Sequence, residues 1–222
     1  MIDDNINHEY IIRYIRDCLP ASEGLLAEME RYAAEHAVPI SQPESIRLLE
    51  LLARLGGAER ILEIGTAIGY SAIRLALASG GHVDTVERSA ELASLARTYI
   101  SRAALEGQIC VIEGDAAAVL PDLTEGYDLI FLDAAKAQYQ AFFPHCVRLL
   151  RRGGLLVSDN VLYKGMTATD ELLQHRKRTI VKRLRAYLEM LKEHPLFDTA
   201  VLPVGDGIAL SLRNNKERQK HA

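Results

Sequence analysis

Cysteine is scarce in this chain, and a surplus of positive charge is missing. Its three cysteines, Cys18, Cys110 and Cys146, stand far apart, and no C-x-x-C pair occurs. That argues against a zinc knuckle or a disulfide framework and fits a reducing cytoplasm. No apolar run approaches the roughly 20 residues needed to span a bilayer. The opening MIDDNINHEY is acidic and polar, unlike a signal peptide. A net charge of −4 gives no general attraction to nucleic acid, so such a partner would have to meet a local patch. Internal repeats and low-complexity segments are also missing. What remains is ordinary: 222 residues, 49% hydrophobic and 25% charged, enough for one α/β domain with a full core.

The chain opens with helical patterns in residues 1–56. Ile11, Ile12, Ile15 and Leu19 form a short amphipathic stripe that Pro20 stops, and Leu25, Leu26, Met29, Tyr32 and Ala33 form a second. Ser41-Gln-Pro-Glu44 reads as a capping box with proline in the first turn, opening a third helix that Gly56-Gly57 ends. These helices are expected to cover one side of a site or to pair subunits. From residue 57 to 213 strand and helix alternate, the signature of a parallel sheet. Strands are expected at 60–64, 82–87, 109–113, 127–133 and 153–159. A long amphipathic helix follows, carrying Ile180, Leu184, Leu188 and Leu191. Two last strands, 197–202 and 208–212, are joined through an Asp206-Gly207 turn that favours an antiparallel hairpin. Residues 214–222 read as a polar tail.

The stretch 60–71, RILEIGTAIGYS, organises the rest. A buried strand runs into a glycine turn and then a helix, the opening of a doubly wound fold whose ligands sit at the carboxyl ends of the strands. The turn is not the dinucleotide fingerprint, because Ala67 stands where the second glycine of G-x-G-x-x-G is needed and Ile68 adds bulk. A nicotinamide-linked oxidoreductase is therefore disfavoured. Glu63, inside the strand, argues for a cationic ligand group nearby.

Acidic residues recur at strand ends: Glu87 after the second strand, Asp115 after the third, Asp133 after the fourth, and Asp159 with Asn160 after the fifth. Singly, each could merely cap the helix that follows. Glu87 lies at the spacing from which an acid accepts hydrogen bonds from ribose hydroxyls. Asp133, Asp159 and Asn160 offer two carboxylates and an amide oxygen on converging strands, hard donors suited to Mg²⁺ or Ca²⁺ rather than Zn²⁺. Lys136, three residues past Asp133, is a candidate general base beside such a cation. Arg176, Lys177 and Arg178, with Lys182, Arg183 and Arg185, place a basic outer surface on the long helix, either a solvated face or a grip for phosphates.

Together, ILEIGTAIGYSAIRLA, the D-A-x-K-x-x-Y run at 133–139, Asp159-Asn160-Val161-Leu162 and LPVGDGIALS resemble the divalent-metal-dependent O-methyltransferases of the catechol and caffeoyl-CoA type, over about residues 38–212. The resemblance implies a Rossmann-like fold of seven mostly parallel strands with a C-terminal antiparallel hairpin and N-terminal helices, and usually a homodimer. It implies that Glu63, Gly65 and Ser71 face the methionine part of S-adenosylmethionine. Glu87 would hold the ribose, Asp115 and Ala116 the adenine side, and Asp133 the cofactor and the metal together. Asp133, Asp159 and Asn160 would bind Mg²⁺, and Lys136 would assist deprotonation. Ala135 and Gln138, in D-A-A-K-x-Q-Y-Q, with D-N-V-L-Y-K-G, are similar to the bacterial tRNA 5-hydroxyuridine methyltransferases. That likeness implies a tRNA anticodon loop as acceptor and Arg176, Lys177, Arg178 and Lys182 as its contacts. A small catechol-like phenol is the alternative acceptor. An RNA-binding protein that keeps S-adenosylmethionine as a structural ligand is a reading of another class.

Overall fold

Five short apolar segments leave the surface and return to it, and each is long enough for one strand of a buried parallel sheet. In the computed structural model, which describes residues 6–124 and 126–214, they pair with a C-terminal hairpin into one seven-stranded sheet. The strands are β1 (Arg60–Ile64), β2 (His82–Glu87), β3 (Ile109–Glu113), β4 (Tyr127–Leu132), β5 (Leu150–Ser158), β6 (Phe197–Leu202) and β7 (Ile208–Arg213). Their order is β3-β2-β1-β4-β5-β7-β6. β1 to β5 are parallel neighbours, and β7 runs antiparallel to both β5 and β6. The order reverses between β1 and β4, so the carboxyl ends of these two open a crevice there. β5 begins three residues before its expected start. A register shift between Tyr127 and Leu129 lets Leu150 pair ahead of the glycines. The expected polar tail lies outside the described residues except for Asn214, whose N–H donates to the Leu196 carbonyl at 2.7 Å.

Eight helices complete the chain among the described residues: α1 (Glu9–Asp17), α2 (Gly24–Glu35), α3 (Pro43–Leu55), α4 (Tyr70–Ser79), α5 (Ala90–Arg102), α6 (Ala116–Asp122), α7 (Tyr139–Leu149) and α8 (Arg178–Glu193). They divide the core in two. Leu129 and Phe131 of β4 pack with Met29, Ile46, Leu49, Ile73 and Ile100 on the side of α2 to α5. Ile130 and Leu132, on the alternate positions, pack with Leu120, Phe142, Cys146, Leu184 and Tyr187 on the side of α6 to α8. The period of two along one strand thus feeds both layers. None of the described helices is long and apolar enough to cross a membrane.

The α1 stripe turns Ile12 inward and leaves Ile11 and Ile15 exposed. One expectation for the N-terminal helices needs correction: the capping box does not form. Gln42 is the N-cap of α3 and its side chain makes no cap hydrogen bond. Glu44 instead accepts from both ends of the Arg16 guanidinium, at 2.8 and 2.9 Å, and a charge-assisted fork outweighs a single bond to a backbone N–H.

A largely buried polar network adds to the apolar packing that holds α2 and α3 against α4. Arg74 of α4 donates to Glu50 of α3 at 2.5 Å and to the Tyr70 hydroxyl at 2.8 Å. That hydroxyl donates to Glu30 of α2 at 2.5 Å. Arg74→Ala leaves Glu50 buried with one partner, Arg47, at 3.0 Å. We expect a loss of about 3 kcal/mol in urea-monitored unfolding, with secondary structure unchanged in the folded baseline.

Candidate active site

The sheet register brings the ends of β1, β4 and β5 level. Ile64 pairs with Leu132 and Leu132 with Ser158, so Gly65, Asp133 and Asp159 form the next row. The ladder extends one step into it: the Asp133 N–H donates to Ile64 and the Asp159 N–H to Leu132, both at 3.0 Å. The Tyr139 hydroxyl, fully buried at the start of α7, donates between the carbonyls of Leu132 (3.1 Å) and Asp159 (3.0 Å). Gly65 has a φ of +112°, and a Cβ there would lie 2.4 Å from the Asp133 carbonyl oxygen. Only glycine lets the two strand ends approach so closely.

A cavity of about 440 Å³ opens above this row. Its walls include Gly65, Ala67, Glu87, Asp115, Ala116, Asp133, Lys136, Asp159 and Asn160, all of them residues singled out from the sequence. Glu87 is held by two backbone donors, Ala67 and Ser89, each at 2.9 Å. Asp115 both caps α6, accepting from Ala117 at 2.8 Å, and faces the cavity, so the two readings of that residue are compatible. Glu63 and Ser71 lie off the wall. Glu63 is fully buried, accepts from the Ser71 hydroxyl, and accepts from Thr85 at 2.5 Å. It points with Ile61 toward α4, beneath the glycine turn. Burial pushes its carboxyl up to about 7, against the pull of the Ser71 and Thr85 hydroxyls.

The acidic end is the electrostatic focus. Burial, and then the charge of Asp159, hold the Asp133 carboxyl well above its usual range, while Lys136 pulls it down. Asp159 is pushed up to about 6, chiefly by burial; the Asn160 N–H, donating at 2.6 Å, and Lys136 oppose this. Asn160 takes a left-handed φ of +55°, which its short polar side chain tolerates. Among the described residues no group of three or more His, Cys, Asp or Glu converges as a metal site. The donor set here is two carboxylates and one amide. A buried carboxylate and a half-buried one, with an amide side chain lining the same cavity, fit a hard divalent cation, which would relieve the charge that Lys136 offsets only in part.

Sequence reasoning missed part of the wall. Pro39, Ile40, Ser41 and Gln42, leading into α3, close the cavity from the N-terminal side. The Ser41 hydroxyl is buried there with no hydrogen-bond partner among the described residues. The basic run divides. Arg176, Arg178 and Lys182 are exposed, and Lys177 reaches the rim, its Nζ 5.9 Å over the Tyr163 ring. Lys136 Nζ lies 5.9 Å over the same ring. Arg183 is exposed as expected, while Arg185 is half-buried and pairs with Asp170 at 2.7 Å. Arg183 donates to the Ala137 carbonyl at 3.1 Å, and Arg185 to Thr167 and Met166 at 2.9 and 3.2 Å, because a long guanidinium stem can turn back to satisfy loop carbonyls.

A family model described as O-methyltransferase matches residues 20–214. The chain belongs to the O-methyltransferase family. A catechol O-methyltransferase of Niastella koreensis is 34% identical over 217 residues, covering 92% of this chain and 96% of its own. One of Mycobacterium tuberculosis is 38% identical over 174 residues, covering 75% and 77%. The structure of a Bacillus cereus O-methyltransferase in complex with SAH superposes with a TM-score of 0.81 at 31% identity, covering 92% of this chain and 97% of its own. This chain is an S-adenosylmethionine-dependent O-methyltransferase of the catechol and caffeoyl-CoA type.

Two outcomes test the site of this O-methyltransferase. Gly65→Ala should push Asp133 away from the row and lower kcat by about a hundredfold, the cost of a misplacement near 1 Å, with the fold retained by circular dichroism. Glu63 has a folded pKa of about 7 against an ordinary 4.5. Its protonated form therefore contributes stability that is complete below 4.5 and lost as pH rises through 7. The unfolding free energy of the ligand-free wild type minus that of Glu63→Gln should fall over that window; a flat difference would show Glu63 ionised throughout.

Proposed function

We propose that this enzyme methylates the 5-hydroxyl of 5-hydroxyuridine at the tRNA wobble position, giving 5-methoxyuridine, with a hard divalent cation such as Mg²⁺ held by Asp133, Asp159 and Asn160. One observation carries the acceptor: Lys177 and Lys136 each stand 5.9 Å from the centre of the same Tyr163 ring. Lys177 of the basic run is thereby linked through Tyr163 to Lys136, which lines the cavity. A basic run beside the site of a net-acidic chain suits a polyanionic acceptor.

S-adenosylmethionine, when bound, supplies an electrophilic sulfonium methyl. The cation, when bound, supplies Lewis acidity that favours the acceptor's ionised hydroxyl. The chain's own residues do the rest. Glu87, fixed by two backbone N–H groups, presents its remaining lone pairs to ribose hydroxyls, and Asp115 with Ala116 flanks the adenine side. Lys136 lines the cavity wall, where its positive charge would assist loss of the acceptor hydroxyl's proton by favouring the oxyanion. The 39–42 segment shields the opposite wall from water. Holding acceptor and cofactor in one cavity makes the transfer effectively unimolecular, which is where much of the rate is gained.

A second reading keeps the chemistry and changes the acceptor. The relatives named as catechol O-methyltransferases favour a small phenol with two adjacent oxygens, a pattern that 5-hydroxyuridine also presents through its 4-carbonyl. Labelled S-adenosylmethionine incubated with tRNA from a strain lacking the modification should give incorporation that EDTA stops. Arg176→Ala, Lys177→Ala and Arg178→Ala together should weaken tRNA methylation and make its log–log salt slope shallower by about one for each phosphate that goes unneutralised, leaving catechol turnover unchanged. Label entering catechol but not tRNA would select the second reading, and EDTA-resistant transfer would remove the cation.

A further inference from the structure

The motif LPVGDGIALS lies in the β6–β7 hairpin, away from the cavity wall, and the chemistry above leaves it without a role. Its turn touches two parts of the site at once. On one side the Asp206 carboxylate accepts from the Lys164 N–H, its backbone carbonyl accepts from Leu162 at 3.0 Å, and the Gly207 carbonyl accepts from Val161 at 2.9 Å. These three donors belong to the loop that begins at Asp159 and Asn160. On the other side Gly205, at φ +56°, lies so close to Ser45 of α3 that a Cβ would sit 2.3 Å from its hydroxyl. Asn7, ahead of α1, donates to the Pro203 carbonyl at 2.7 Å.

The loop needs such a clasp. Asn160, Tyr163, Lys164 and Gly165 all have φ between +46° and +79°, and three of them are not glycine. Left-handed backbone costs about 1 kcal/mol or more per non-glycine residue, so this run persists only where its surroundings over-determine it. Asp206 and Gly207 satisfy its N–H groups from outside. Gly207, at φ +86°, packs so tightly on Leu162 that a Cβ would meet its Cγ at 2.3 Å. The same loop carries Tyr163, whose ring centre lies 5.9 Å from each of the Lys136 and Lys177 Nζ atoms.

We propose that Asp206 is a positioning residue for methyl transfer, which holds the 159–165 loop in its left-handed path so that Asn160 and Tyr163 face the acceptor. It acts through the hydrogen bond to Lys164, not by touching cofactor or acceptor. The inference stands on family membership and does not depend on which acceptor is used.

Three measurements on the full chain test it: amide hydrogen exchange at Leu162 and Lys164, S-adenosylmethionine affinity by calorimetry, and acceptor KM with whichever of hydroxyuridine tRNA or catechol the wild type methylates. Asp206→Ala should unprotect both amides and raise acceptor KM by about tenfold, the worth of one charge-assisted bond, with cofactor affinity within about twofold. Asp206→Asn, which still offers an oxygen to Lys164, should restore KM to within about threefold of wild type. If Asp206→Ala fails to fold, Gly207→Ala, which presses on Leu162 from the same turn, should give the same split between acceptor and cofactor. Unchanged protection and KM in Asp206→Ala, equal damage in Asp206→Asn, or a matching loss of cofactor affinity would each overturn the proposal. Failure of either acceptor as a wild-type substrate bears on the acceptor reading alone.

Discussion

The parallel pairing of β4 between β1 and β5 is the constraint on which this site depends. A central strand satisfies both its edges through the ladder, so its end cannot drift relative to its neighbours. One residue beyond the ladder, Gly65, Asp133 and Asp159 inherit that alignment. The Tyr139 hydroxyl then ties the last carbonyl of β4 to that of Asp159. Two carboxylates from segments far apart in the chain are thus brought together by backbone, and their side chains have little freedom left to choose.

That alignment has an electrostatic cost. Buried carboxylates near one another favour protonation, and Asp133 and Asp159 both shift that way. Lys136 offsets the effect without cancelling it. A site so arranged draws positive charge, whether a hard cation or protons, and it is the cation that leaves the oxygens available as ligands. Asp206 and Glu44 add to the negative field at Asp159, so the acidic character of this end extends beyond the three proposed ligands.

The N-terminal helices are part of the site rather than an appendage to it. Arg74, Tyr70, Glu50 and Glu30 fasten α2 and α3 to α4, and the segment entering α3 closes one cavity wall. The hairpin turn at 203–207 touches α3 and the 159–165 loop together. The segment entering α3 and the 159–165 loop therefore share a common support, though over a hundred residues of chain separate them.

By itself the sequence determined the strands, the doubly wound order and the acids at the strand ends, because apolar runs, glycine turns and period-two patterning are local signals that this sheet merely repeats. Strands β2, β3 and β6 begin and end where their apolar runs do, and Glu87, Asp115, Asp133, Asp159 and Asn160 all reach the cavity. Only the tertiary structure decided that Glu63 and Ser71 lie beneath the turn, since the strand's alternation sends Glu63 toward α4. It alone put residues 39–42 on the wall, left most of the α1 stripe exposed, and turned Glu44 to Arg16 in place of a cap. Each of these outcomes is a competition between a local partner and a distant one. Pattern in the chain states the local offer, but which offer wins depends on distances that exist only after the chain has folded.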